Sequence, residues 1–98
     1  MKSREVKVHF EQEGSELTAV EIGQTGRSPL IVSLHRALFA LGVVVASYQV
    51  RPGVHGGLVE RVVLSRRDGG AVQGQLSEQA RSAILPIALS QSREVPSA

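Results

Sequence analysis

Residues 23–28, which read Gly-Gln-Thr-Gly-Arg-Ser, are the segment of this chain best placed to bind a ligand. They stand directly before a predicted helix, whose first backbone N–H groups and positive dipole end favour an anion. Thr25, Arg27 and Ser28 could add donors to a carboxylate or a phosphate. The alternative is structural, with the two glycines shaping a turn and Ser28 only capping the helix. The segment lacks the Gly-Lys-Ser/Thr ending of nucleotide-hydrolysing phosphate loops.

The other chemically active residue types do not form a catalytic or metal-binding pattern. His9, His35 and His55 fall on a predicted strand, a helix and a loop, without spaced carboxylates or partner nucleophiles. The chain has no Cys, so disulfides and thiolate metal sites are excluded. Residues 53–57 join two predicted strands, unlike the Gly-x-x-Gly loop that clamps nucleic acid. We therefore expect no enzymatic activity, no cofactor and no metal site.

The helix that follows the loop has both of its ends marked in the sequence. Ser28 is predicted as the N-cap, Pro29 as the first helical residue, and Gly42 as the left-handed residue after the last turn. Apolar residues recur at helical spacing between these ends. This stripe consists of Leu30, Ile31, Leu34, Ala37, Leu38 and Leu41.

Alternating apolar residues predict four strands. Residues 6–11 and 17–22 form a hairpin, residues 43–51 form a third strand, and residues 58–65 form a fourth. A second helix is predicted with Ser77 as its cap and Leu76 as a hydrophobic staple.

The second helix contains a proline within its apolar stripe. Pro86 predicts a kink or break near residues 82–85, because proline removes a backbone hydrogen bond from a helix interior. The polar residues 91–98 are predicted to be a flexible tail. The stripe itself consists of Ala80, Ala83, Ile84, Ile87 and Ala88.

The element order is therefore β-β-α-β-β-α, in a single domain at residues 4–90. The right-handed crossover rule places the second and third strands parallel to each other, on either side of the fourth. The first strand is linked to the second by a hairpin and takes the outer position beside it. We predict an α+β fold of the ferredoxin-like type, a two-layer sandwich whose four-stranded antiparallel sheet carries both helices on one face.

Both faces of the third and fourth strands are apolar, which predicts that a second copy covers one of them through the sheet or a strand edge. On the first helix, Val32 and Phe39 lie beside the apolar stripe and predict either a broader core contact or a subunit contact. The predicted helix-facing set is Val44, Ala46, Tyr48, Val50, Leu58, Val62 and Leu64, and the opposite set is Val43, Val45, Val59 and Val63.

Composition and charge argue against nucleic-acid and membrane partners. The net charge is only +2, which gives a weak field. RNA binding on the sheet would need exposed aromatics, whereas Phe10 and Tyr48 fall on the sets expected to face the helices. No apolar run approaches the ~20 residues that cross a bilayer, and the first residues are unlike a signal peptide. We expect a cytoplasmic protein.

These patterns resemble the ACT domain, a small ligand-sensing module attached to many enzymes of amino-acid metabolism. The matching segments are residues 17–22, residues 30–42 with the ending Ala-Leu-Phe-Ala-Leu-Gly, residues 43–50 and residues 59–64. With its leading strand, the chain is similar to the C-terminal ACT domain of the bifunctional uridylyltransferase/uridylyl-removing enzyme. None of the catalytic parts of that enzyme is present.

The resemblance implies a non-catalytic regulatory domain that works as a homodimer, binds a small amino acid at the subunit interface and serves a partner enzyme. The family loop commonly reads Asp-x-Pro-Gly-Leu, whereas residues 26–30 read Gly-Arg-Ser-Pro-Leu. The alternative is therefore a structural dimerisation or protein-interaction module whose ligand loop has decayed, and RNA binding is a third function. The implied ligand-binding residues are Gln24, Thr25, Gly26, Arg27 and Ser28 of the loop and Ser47 and Gln49 of the third strand.

Overall fold

The computed structural model describes residues 6–24 and 29–90, with the backbone alone for Gln24 and His55. These residues form four strands and two helices in the predicted order, and a short 3₁₀ turn at Val54–Gly56 joins the third strand to the fourth. The elements are β1 (Lys7–Glu13), β2 (Glu16–Gln24), α1 (Leu30–Ala40), β3 (Val43–Pro52), β4 (Gly57–Arg66) and α2 (Gly74–Leu89).

The strands form one antiparallel sheet in the spatial order β1-β2-β4-β3. β2 and β3 thus flank β4, as the handedness of the crossover through α1 predicts. β1 lies outside β2, so the hairpin supplies the strand that completes the sheet. The predicted α+β, ferredoxin-like fold with a four-stranded antiparallel sheet is confirmed.

Both helices pack on the same face of the sheet, α1 against β3 and α2 against β1 and β2. The predicted stripes supply the contacts: Leu34 of α1 and Ile84 of α2 are both fully buried. The core between helices and sheet consists of Leu17, Ala19, Leu30, Leu34, Leu38, Val43, Val62, Leu64, Val72, Ala80, Ile84 and Ala88.

β3 contains a β-bulge that changes which of its side chains face the helices. Val45 lies opposite Leu64, but the next pair is Ser47 with Val63, so Ala46 is an extra residue. An extra residue reverses the alternation of faces. Val43 and Val45 therefore pack in or against the core, and the prediction that Val44 and Ala46 face the helices is wrong. Tyr48 faces the helices as predicted.

The first helix begins one residue later than predicted. Pro29 occupies the N-cap position and Leu30 is the first helical residue, while Ser28, the predicted cap, lies outside the described residues. Gly42 has a φ of 74°, so its predicted left-handed conformation is confirmed.

The second helix begins at Gly74, and the prediction that Ser77 caps it is wrong. Ser77 is buried within the helix, and its hydroxyl donates to the Oε1 atom of Gln12 at 2.8 Å. The helix also continues past Pro86 to Leu89, so the predicted break is wrong. Pro86 is exposed and lies in the last turn, so the one backbone hydrogen bond that it cannot donate is lost close to the end of the helix. Residues 91–98, the predicted tail, lie outside the described residues.

Candidate functional site

A cavity of about 90 Å³ opens at the N-terminal end of α1, between the helix and the sheet. Its volume exceeds the ~10–15 Å³ that a single water requires, so it can admit a small chemical group. Apolar walls with a few convergent polar groups are typical of small-ligand sites. The residues that line it are Glu21, Gly23, Pro29, Tyr48, Val50, Leu58 and Glu60.

Two buried glutamates form the polar wall of this cavity. Glu21 of β2 lies directly opposite Glu60 of β4, and the two residues are only 3% and 7% exposed. Ala19 lies two residues before Glu21, and Val62 lies two residues after Glu60, so these side chains share one face of the sheet. Ala19 and Val62 belong to the core, so this is the face that the helices cover. Burial of a carboxylate is costly unless hydrogen bonds or positive charges compensate it. Two facing carboxylates therefore mark a polar site in an otherwise apolar layer.

Glu60 connects three elements at the cavity. Its Oε2 atom accepts hydrogen bonds from the backbone N–H of Leu30 at 2.8 Å and from the hydroxyl of Tyr48 at 2.7 Å. The first bond satisfies a free N–H at the start of α1, and the positive end of the helix dipole favours a carboxylate there. Burial, reinforced by the hydrogen bond to Glu60, raises the pKa of Tyr48 well above its ordinary value.

Three of the residues predicted for the ligand site, Gln24, Ser47 and Gln49, lie within the described part of the chain. Gln24 ends β2, where its backbone pairs with Gly57, while residues 25–28 lie outside the described part of the chain. Ser47 and Gln49 are exposed on the face of the sheet opposite the helices. β3 lines the cavity instead with Tyr48 and Val50. The predicted role of residues 24–28 stays a prediction.

Sequence reasoning did not identify Glu21 and Glu60 as site residues, although a signal was present. Glu21 continues the strand face of Leu17 and Ala19, and Glu60 lies between Leu58 and Val62. A single carboxylate on an otherwise apolar strand face predicts a buried charge with a specific role.

The opposite face of the sheet, which we call the open face, carries a small ionic cluster. Arg61 of β4 donates from its Nη2 atom to Oε1 of Glu11 on β1 at 2.7 Å, and the Nε2 atom of His9 lies 3.4 Å from Oε2 of Glu11. The hydrogen bond from Arg61 is the main cause that holds the pKa of Glu11 below its usual value. Phe10 and Tyr48 face the helices, as predicted, so the described open face has no Phe, Tyr or Trp side chain.

Val32 and Phe39 form an exposed apolar pair on the outer side of α1. They are 63% and 61% exposed, so the prediction of a broader core contact is wrong, whereas a subunit contact stays a prediction. The guanidinium of Arg67 lies over the Phe39 ring, 4.4 Å from the ring centroid, in cation–π geometry.

Comparisons with protein-family models, curated proteins and solved structures returned no match. The resemblance to ACT domains therefore stays a prediction, and the functional argument rests on the geometry of the site. Within the described residues, no group of three metal-ligating side chains of His, Cys, Asp or Glu occurs. The described helices are too short or too polar to span a lipid bilayer.

Proposed function

We propose that this chain is a non-catalytic, ACT-like regulatory domain that binds a small amino acid at the cavity beside α1. The observation that carries the proposal is the pair of facing, buried carboxylates of Glu21 and Glu60 beside apolar walls. A protonated amine is the ligand group that such carboxylates favour, because it offers both positive charge and several hydrogen-bond donors.

The two ends of an amino acid suit the two sides of this site. The ammonium group lies against the strand carboxylates. The ligand carboxylate extends toward residues 25–28, which connect the cavity-lining strand β2 to α1 and supply Thr25, Arg27 and Ser28 as donors. In this arrangement Glu21 and Glu60 provide the negative charge that the family loop carries at the position of Gly26 here.

The proposed assembly is a homodimer formed along the edge of β3. β3 is a ten-residue edge strand, and its Val50 is 47% exposed while also lining the cavity. Exposed edges of this length favour pairing with another strand. A second copy along β3 would cover Val50, close the cavity and bring Ser47 and Gln49 close to the interface. The ligand-bound dimer would then regulate a partner enzyme in the cytoplasm.

We expect small amino acids to stabilise the protein and their hydroxy-acid analogues to leave its melting temperature unchanged. Alanine and lactate are a matched pair of test ligands, because lactate has a hydroxyl in place of the ammonium group that the carboxylates would bind. A ligand at 100 times its dissociation constant adds about 2.7 kcal/mol to the free energy of unfolding. Thermal-shift measurements over the common amino acids, followed by calorimetry on each hit, test this expectation.

Glu21→Gln is expected to weaken binding of any such hit at least tenfold, because it removes one of the two charges. Glu16→Gln is the matched control, since Glu16 is exposed at the start of β2. Equal stabilisation by the hydroxy acid, or no shift with any amino acid at millimolar concentration, would contradict the proposal.

Light scattering at tens of micromolar is expected to give twice the 10.5 kDa mass of one chain. Val50→Lys should produce the single-chain mass, because it places a charged side chain at the partly exposed apolar position that the second copy would cover. Val54→Lys is the control: Val54 is 79% exposed in the turn after β3. A monomeric wild-type chain would rule out the proposed dimer.

The exposed pair Val32 and Phe39 favours the second candidate function, a dimerisation or protein-interaction module without a ligand. The two functions make different predictions from the same experiments. A stable dimer that no amino acid stabilises would support the interaction module.

A further inference from the structure

Arg51 and Arg61 lie close together on the open face of the sheet. Arg51 of β3 is opposite Val59 of β4, and Arg61 of β4 is opposite Gln49 of β3, so the two arginines are diagonal neighbours. The Cα atoms of diagonal neighbours on adjacent strands are roughly 7–8 Å apart. Both arginines and Gln49 line a concavity of about 250 Å³, whose other walls are Val20 and Val59. The concavity thus has an apolar floor and a rim of hydrogen-bond donors.

The charges of the two arginines are not equally compensated. Arg61 is paired with Glu11 across β2, whereas Arg51 forms no ion pair within residues 6–24 and 29–90. The sequence holds no Asp or Glu between Glu21 and Glu60, so neither β3 nor the turn into β4 offers Arg51 a carboxylate. Like charges on neighbouring strands repel each other. An anion between these arginines would relieve the repulsion.

We propose that this concavity, the open-face anion site, binds a small organic molecule that carries an oxyanion, a carboxylate or a phosphate, on an apolar body. The guanidinium of Arg51 and the remaining N–H groups of Arg61 donate to the oxyanion, and the Gln49 amide adds a neutral donor. The apolar body lies on the floor formed by Val59 and Val20. This site is on the opposite face of the sheet from the cavity beside α1, so it does not depend on the function proposed above.

Titration of ¹⁵N-labelled protein with phenyl phosphate, benzoate and inorganic phosphate tests the site. We expect saturable chemical-shift changes centred on the amides of Gln49, Arg51, Val59 and Arg61. Phenyl phosphate should bind about tenfold more tightly than inorganic phosphate, because its ring covers the apolar floor. The stronger of phenyl phosphate and benzoate identifies the favoured oxyanion. Shifts that do not saturate, or that centre elsewhere, would overturn the proposal.

Three variants separate this site from general attraction to a basic protein. Arg51→Gln should weaken binding of phenyl phosphate at least tenfold, whereas Arg36→Gln should leave it unchanged, because Arg36 is an exposed arginine on α1. Glu11→Gln should strengthen binding severalfold, because it removes a nearby negative charge and releases Arg61. Equal weakening in the two arginine variants, or weaker binding in Glu11→Gln, would refute the open-face anion site.

Discussion

Glu60→Ala is expected to lower the free energy of unfolding by about 3 kcal/mol. The substitution leaves the backbone N–H of Leu30 and the hydroxyl of Tyr48 without the carboxylate oxygen that accepts both of their hydrogen bonds. A buried polar group that loses its partner costs roughly 1–3 kcal/mol, and two groups are affected here. Urea denaturation followed by circular dichroism measures the loss.

Tyr48→Phe is the matched control for this variant. It removes one of the two hydrogen bonds and leaves the bond between Glu60 and Leu30 in place, so the expected loss is about 1 kcal/mol. If Glu60→Ala were no more destabilising than Tyr48→Phe, the carboxylate would not be supporting the start of α1.

Tyr48 also reports directly on its bond to Glu60, because it is the only tyrosine and the chain has no tryptophan. The pKa of Tyr48 is raised in the folded state. Above about pH 10, the unfolded chain therefore loses the hydroxyl proton while the folded protein still holds it. The resulting stability is complete below that pH and declines as the pH rises above it. Ultraviolet absorbance titration should show a lower pKa for Tyr48 in Glu60→Gln, and an unchanged pKa would contradict the assigned bond.

The architecture could be predicted because its signals are local. The apolar spacing from Leu30 to Leu41 specifies one face of α1, and Gly42 specifies where the chain leaves the helix. The crossover rule then fixes the position of β3, and the short turn after β1 fixes the position of that strand. Each of these inferences requires only neighbouring residues or a general rule of chain connection.

The bulge in β3 could not be predicted from alternation. Residues 43–45 are three consecutive valines, so either phase of alternation gives an apolar face. The structure resolves the choice by making Ala46 an extra residue, which places Val43 in the core and keeps Tyr48 on the same side. A single inserted residue leaves no compositional trace when both phases are apolar.

The helix starts were predicted from the nearest suitable side chain, but the described contacts come from distant residues. Leu30 donates to Glu60, thirty positions along the chain, and Ser77 bonds to Gln12 of β1 rather than capping α2. The candidate site follows the same rule: Glu21 and Glu60 meet only because β2 and β4 are adjacent in the sheet. Such pairs depend on both the order of the strands and their register. The local spacing of residues in the sequence does not specify the register.

The second large effect is expected in the core, where Leu34→Ala should lower the free energy of unfolding by about 3 kcal/mol. Leu34 is fully buried in the cluster that joins α1 to the sheet. Removal of a buried leucine side chain costs roughly 2–5 kcal/mol through lost burial and the cavity left behind. Single domains are stable by only about 5–15 kcal/mol, so the midpoint of urea denaturation should fall substantially.

Val32→Ala on the same helix separates burial from helix propensity. Val32 is 63% exposed, and alanine has a higher helix propensity than valine, so the expected change is within about 0.5 kcal/mol. A large loss in Val32→Ala that appears only at concentrations where the protein is dimeric would place this side of α1 in the subunit contact. A loss in Leu34→Ala below 1 kcal/mol would contradict the packing of α1 on the sheet, and with it the support that the helix gives to the cavity.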